Sequence, residues 1–168
     1  VEAPIKVDRK TKRLAKRLTG REIAVINHMD IDEVAANSLV EGKVKLVINA
    51  AQSISGKYPN KGPGILTDKN ILIIDNVGQE LFDELKEGQI IEVNNGQIYR
   101  DGQLLGEGSV LDKDKVAIKI KEAYDNMSVE LDRFIDNTIE YAKKEKGFIL
   151  GEVEIPKVKT KYKDRHVL

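Results

Sequence analysis

The 168-residue sequence has no cysteine and no tryptophan, and aromatic residues make up only 5% of it. The first absence excludes a disulfide framework and thiol catalysis. With two histidines, His28 and His166, the usual zinc ligand sets cannot be assembled within one chain. Long apolar runs are missing too. No segment approaches the ~20 residues that span a bilayer, and no charged stretch leads into the apolar core of a secretion signal. Neither a membrane span nor a signal peptide is expected, and with cysteine silent on redox compartment a cytoplasmic location is the default. Excess charge of one sign is also lacking, with 28 basic residues against 28 acidic ones. No global field would draw the chain to nucleic acid or to an anionic membrane. What is present is a globular mixture, 40% hydrophobic and 33% charged, of a length suited to one domain and an appendage.

The even balance hides an asymmetry. Residues 1–21 carry eight Lys/Arg against two acids (+6), residues 156–168 carry five against one (+4), and the body between them is at −10. The simpler reading is solvated charge whose sign pattern packs the basic ends on an acidic body, and the sharper one is a basic interaction arm.

Asp8 to Leu18 reads as a short basic helix, with Asp8 able to cap its first turn and Gly20 as its stop. Glu22 to Ile26 follows as a strand, then a helix to about Glu41 whose free N–H groups Asp30 or Asp32 can accept from. Val44 to Ile48 and Ile71 to Ile74 are β-branched runs dense enough in apolar residues for burial on two faces, as in parallel sheets. The first half is thus β-α-β-loop-β. In the loop Asn49 to Asn70 only Gly64 to Lys69 can hold a helical turn. A short helix at about Glu80 to Lys86 precedes a period-two region, Gln89 to Val93, Gln97 to Tyr99 and Leu104-Leu105, joined by Asn95-Gly96 and Asp101-Gly102. These dipeptides signal hairpins because a type I′ turn needs positive φ at both central positions. From Asp112 to Lys146 the spacing is helical, with Gly147 as the expected stop and a break near Asp125 to Ser128 as an option. Such a helix carries more apolar stripe than a small domain can cover, so a second copy of the chain or a following domain is expected to take the surplus. Its mean spacing, nearer 3.7 than 3.5, argues against a long coiled coil.

Ser53-Ile-Ser-Gly-Lys-Tyr-Pro-Asn-Lys-Gly-Pro-Gly64 is the most unusual stretch. Gly56-Lys57 invites a phosphate-loop reading but fails it. The first glycine of the Walker pattern falls on Ala51, and Tyr58 stands where the magnesium-holding Ser/Thr belongs. A non-Walker anion site remains open, in which Ser53, Ser55, Gly56, Lys57, Tyr58, Asn60, Lys61 and Gly62 converge on a phosphate or carboxylate with Asn49 at the loop's start. The competing reading is a rigid Pro/Gly loop that closes the domain. His28, Asp30 and Asp32 have metal-ligand chemistry at a strand's carboxyl end, but helix capping accounts for the aspartates, and no metal site is expected. Asp75 would face the same edge as Asp30 and could pair with it. Serine catalysis would need His28 or His166 as base, and neither arrangement is recognisable by spacing, so no residue is assigned a catalytic role. Arg9, Lys12, Arg13, Lys16 and Arg17 are read as a solvated basic face, because stacking partners for single strands are missing.

Three stretches together, Ile23-Ala-Val-Ile-Asn-His-Met-Asp-Ile-Asp-Glu-Val-Ala-Ala-Asn-Ser-Leu-Val40, Val47-Ile-Asn-Ala-Ala-Gln-Ser-Ile-Ser-Gly-Lys-Tyr-Pro-Asn-Lys-Gly-Pro63 and Ile74-Asp-Asn-Val-Gly78, resemble the N-terminal part of SteA-family proteins. These are bacterial cytokinetic-ring or cell-separation factors with a thiamin-pyrophosphokinase-like domain. The resemblance runs from Asp8-Arg-Lys-Thr-Lys12 through Asn137-Thr-Ile-Glu-Tyr141 to Arg165-His-Val-Leu168, which would open the first strand of that domain. It implies that ATP, magnesium and any pyrophosphokinase chemistry belong to a domain beyond this chain. A second likeness concerns fold. The order of elements from Gly20 to Tyr99 looks like the swivelling phosphohistidine domain of phosphoenolpyruvate-utilising enzymes, whose catalytic histidine would fall near Lys61 or Gly62 and is missing here.

The combined expectation is an α/β fold: a swivelling-type β/β/α domain over 1–110 with a basic N-terminal helix, a long connecting helix over 111–147 and a basic linker over 148–168. The expected function is a non-catalytic regulatory or scaffolding module of a SteA-like cell-division protein. Its implied partners are the kinase-like domain of the same protein, a second copy through the long helix and a membrane-associated division partner, with no cofactor in this chain and no specific nucleic acid. The rival is a sensor of small anions or nucleotides, or part of an ATP-dependent pyrophosphokinase, using the loop from Ser53 to Pro63.

Overall fold

The computed structural model describes residues 1–151; the basic linker from residue 152 on and His166 lie outside the described residues. The chain divides into two compact units, one of Val1–Ser128 and one from Val129 onward. The first is of the α/β class. It contains β1 (Glu2–Asp8), α1 (Thr11–Ala15), β2 (Ile23–Ile26), α2 (Glu33–Glu41), β3 (Leu46–Asn49), α3 (Gly62–Asp68), β4 (Leu72–Asp75) and α4 (Gln79–Glu84). There follow β5 (Ile90–Asn94), β6 (Gln97–Arg100), β7 (Gln103–Glu107), β8 (Ser109–Leu111) and the start of α5 (Lys113–Ile149).

One eight-stranded mixed sheet runs in the order β7-β6-β5-β1-β2-β3-β4-β8. Strands β1 to β4 are parallel, and β8 and the β5-β6-β7 meander add antiparallel neighbours at either side. Every residue of β2 and β3 is buried, as their unbroken apolar runs require. Alternation sorts their side chains onto two faces. Ala24, Ile26 and Val47 pack with Leu14 of α1, Ala35, Ala36 and Leu39 of α2, Leu66 of α3 and Val116 of α5. Ile23, Val25, Leu46 and Ile48 pack with Leu81 and Phe82 of α4, Ile91 and Val93 of β5, and Ile98 of β6. Helices thus cover one face of the parallel sheet and the meander with α4 covers the other. Both hairpin signals hold, with Asn95 and Gly96 at φ 48° and 87° and Asp101 and Gly102 at 51° and 78°.

Several boundaries differ from the sequence expectation. β1 is an additional strand at the centre of the sheet. Its residues Glu2 to Pro4 pair with β5 and Ile5 to Asp8 with β2, so Pro4 sits where the strand changes partners and its missing N–H costs little. β8 is a further short strand. Helix α1 starts later than Asp8, because the Asp8 carboxylate does not cap it. That side chain instead accepts from the Lys10 N–H, at 2.9 Å, and from the Arg13 and Arg17 guanidinium groups. Helix α5 neither breaks near Asp125 nor stops at Gly147. It runs to Ile149, and the left-handed residue beyond it is Gly151, at φ 71°, whose N–H bonds the Phe148 carbonyl. In α2, by contrast, Asp32 is the cap, accepting from the Ala35 N–H at 2.7 Å.

Two buried carboxylates brace this unit. Hydrogen bonds from Arg13 hold Asp8 down at a pKa of about 2 against the upward push of burial. Burial pushes Glu22 up, but the Thr19 hydroxyl and the N–H groups of Thr19 and Arg21 outweigh it and hold that group at about 2 as well. Both values lie below the ordinary 3.8 and 4.5, so the stability these groups confer is complete above about pH 5 and is lost as the pH falls toward 2. Urea denaturation should show a falling midpoint over that interval, and Glu22→Gln should flatten the fall while lowering the midpoint at neutral pH.

Candidate functional site

Parallel strands β1 to β4 end on one edge of the sheet, and the sequence places its chemistry there: Asp8 at the end of β1 and Arg9 after it, Asn27 and His28 after β2, Asn49 at the end of β3, and Asp75 at the end of β4. Backbone groups at such an edge leave the sheet's ladder inside the protein and need side-chain partners. Asn49, wholly buried, supplies them. Its amide oxygen accepts from the His28 N–H at 3.0 Å, and its amide nitrogen donates to the His28 carbonyl and to Ser53 Oγ, each at 2.8 Å. Ser53, equally buried, donates its hydroxyl to Asp75 Oδ1 at 2.6 Å and its N–H to the same oxygen at 2.8 Å. Asn49, Ser53 and Asp75 therefore form one continuous hydrogen-bonded seam across the ends of β2, β3 and β4.

A second pair lies beside it. Asp30, in the left-handed region at φ 54°, accepts from the Ser55 N–H at 2.7 Å and from the Ser55 hydroxyl at 2.8 Å. Asp30 and Asp75 are thus each taken by a different serine. Asn60 donates to the carbonyls of Ile31 and Ser53, and its buried Oδ1 has no partner. At Gly62 a Cβ would stand 2.1 Å from the Ile31 carbonyl oxygen, so only glycine permits this approach of α3 to the loop after β2. Gly56 is also at positive φ, and its carbonyl accepts from Asn126 of α5 at 3.1 Å. Lys57 and Tyr58 are exposed, and Lys61 is exposed with its ammonium 3.9 Å from Glu33.

The loop from Ser53 to Pro63 is accordingly fastened inward. Both hydroxyls donate to carboxylates, so the segment that the sequence suggested for an anion rests on two acidic side chains. Burial pushes the Asp75 carboxyl above its ordinary range, opposed by the hydrogen bonds from Ser53 and by the positive charge of Lys119. Among the described residues no cluster of three His, Cys, Asp or Glu could hold a metal ion, and no helix is long and apolar enough to cross a membrane.

A concave feature lies further along this edge. A pocket of about 380 Å3 opens at the carboxyl ends of β1 and β2, lined by Arg9, Lys10, Lys12, Asn27, His28 and Met29 among others. Arg9 and Lys12, expected from the sequence to belong to a solvated basic face for want of stacking partners, line this pocket instead. Once Glu2–Asp8 is a strand, the basic run after it falls at a strand's carboxyl end, where α/β sheets place their ligands. Alternation of Ala3 and Ile5 with polar neighbours was the available signal.

Asp75→Ala should strip the acceptor from a buried N–H and a buried hydroxyl, with a loss of about 1–3 kcal/mol per unpaired group in urea denaturation. Asp75→Asn keeps an acceptor oxygen and should lose less. Because the wild-type group's pKa is raised, the wild type should also lose stability relative to Asp75→Asn as the pH climbs above 3.8. Comparison with protein-family models, with curated proteins and with solved structures finds no match, so function has to be argued from the residues themselves.

Proposed function

We propose that this chain is a non-catalytic regulatory or scaffolding module of the SteA type, acting in bacterial cell separation, and that its long helix self-associates. The process rests on the resemblance of the stretches 23–40, 47–63 and 74–78. That resemblance assigns ATP-dependent chemistry to a thiamin-pyrophosphokinase-like domain outside this chain. It also assigns the protein to the cytoplasmic side of the division site with a membrane-associated partner. The inward fastening of Ser53 and Ser55 supports a structural role for the loop over a pyrophosphokinase or sensor role.

The observation that carries the self-association is the face of α5 in the second unit. Leu131, Phe134, Ile135 and Ile139 follow one another at helical spacing, and Leu131 and Phe134 are 54% and 66% exposed. A stripe of large apolar side chains left in water favours association. Charge indicates the partner and its direction. Glu130, Asp132, Asp136 and Glu140 against Arg133 make the start of this stretch acidic, whereas Lys143, Lys144 and Lys146 against Glu145 make its end basic. A second copy lying antiparallel sets each acidic stretch against a basic one; a parallel copy would set like against like.

Sedimentation equilibrium should find a monomer–dimer equilibrium that Leu131→Asp combined with Phe134→Asp shifts to monomer, with the thermal unfolding of the first unit unchanged. A wild-type chain monomeric at every concentration would remove the helix from the proposal. In the native cell, deletion of the gene should leave unseparated chains of cells that the wild-type gene resolves and the doubly substituted gene does not. Normal separation after deletion would remove the process.

A further inference from the structure

The geometry points to an anion site in the pocket at the ends of β1 and β2, and we propose that it binds the phosphate group of a small phosphate monoester. This goes beyond the scaffolding role and stands apart from it, because none of the residues involved belongs to α5.

Three cations come from the stretch that leaves β1 and opens α1. Arg9, Lys10 and Lys12 line the pocket, and all three are exposed. Arg9 is shared with Asp83, at 3.1 Å, and with the face of Phe82, 5.5 Å from the ring centre. Lys10 and Lys12 have no carboxylate partner among the described residues. The stretch that presents them is fixed from below, since the buried Asp8 carboxylate holds the Lys10 N–H and, through Arg13 and Arg17, the helix that follows.

His28 is positioned with similar firmness. Asn49 grips its backbone on both sides, and Thr11 Oγ1 lies 2.9 Å from Nδ1, which leaves Nε2 as the ring atom available to a ligand. Asp32 stands 4.0 Å from that atom and is the one acid among the lining residues. Among the lining residues Arg9, Lys10 and Lys12 are basic and Asp32 is acidic; Arg9 is already shared with Asp83, which leaves the two lysines as the cations without a carboxylate partner among the described residues. A phosphate monoester, at about −1.5 to −2 near neutral pH, matches two lysine charges better than a carboxylate does. Lysines serve such a group as point charges that need no bidentate geometry. Met29, 59% exposed at the pocket wall, offers a polarisable apolar surface for the organic part. The size lies at the small end of ligand pockets, suiting a single-ring or short-chain ester.

Isothermal titration of the full chain with phenyl phosphate, inorganic phosphate and benzoate tests the assignment. Phenyl phosphate should bind saturably and more tightly than either of the others, and its affinity should fall as salt is raised. Lys10→Ala with Lys12→Ala should weaken it by at least about tenfold. Met29→Ala should abolish the preference for phenyl phosphate over inorganic phosphate, and Lys57→Ala should change nothing. The lysine variants replace exposed side chains, and an unchanged melting temperature will confirm that they fold. Absence of saturable binding at millimolar phenyl phosphate, equal binding of benzoate, or full binding by the double lysine variant would overturn the proposal.

Discussion

The amide of Asn49 is the constraint on which this edge of the molecule depends. A parallel sheet buried on both faces delivers the ends of its strands into the protein, where each departing backbone group must find a partner or bear its desolvation. Asparagine carries a donor and an acceptor on one short side chain. At the end of β3 it satisfies both backbone groups of His28 and holds the Ser53 hydroxyl against Asp75. One residue thereby sets the path of the chain leaving β2 and the seating of the loop leaving β3. It also fixes where the His28 ring stands in the pocket beside it.

Electrostatics then distributes the chemistry along the edge. Hydroxyls, glycines and lysines are the composition of an anion-binding loop, yet the same residues make a polar plug when acceptors lie underneath. Asp30 and Asp75 are those acceptors, and each spends a serine hydroxyl and N–H that an anion would have required. With those donors already used, the loop has little to offer a phosphate. At the end of β1 the signs reverse, because the stretch from Arg9 into α1 carries Arg9, Lys10 and Lys12 while the carboxylate there, Asp8, is buried and paired with arginines.

How much of this was legible in the sequence follows the range of the interactions. The runs at Ile23 to Ile26 and Leu46 to Asn49, the Asp32 cap and the two glycine hairpin turns are written in neighbouring residues, and they form where local chemistry places them. β1 escaped because Pro4 and the charged Glu2 and Lys6 look unlike a central strand; only its change of partner at Pro4 makes the sequence compatible with the position. The helical spacing of α5 was plain, but Gly147 costs a helix only about 1 kcal/mol and does not by itself end one. The serine–aspartate pairs were out of reach, since Ser53 with Asp75 and Asp30 with Ser55 join residues separated by 22 and 25 positions. Composition could nominate these residues as polar and unusual, but not say that they satisfy one another.

Helix α5 shows the same division between what a chain can satisfy by itself and what it cannot. In the first unit its inward residues Val116 and Ala123 are buried, and packing holds it. Among the described residues from Val129, the ion pairs are local: Arg133 with Glu130 and Lys144 with Glu140, both exposed, are each worth a few tenths of a kcal/mol. Helices draw most of their stability from a packed apolar face rather than from propensity or surface charge. Leu131, Phe134, Ile135 and Ile139 form such a face and leave it in water. A helix of this length therefore gains more from a partner laid along that stripe than from any rearrangement of its own side chains. The reversal of charge between Glu130 and Lys146 makes an antiparallel copy of the same stretch a partner that meets opposite charge at both ends.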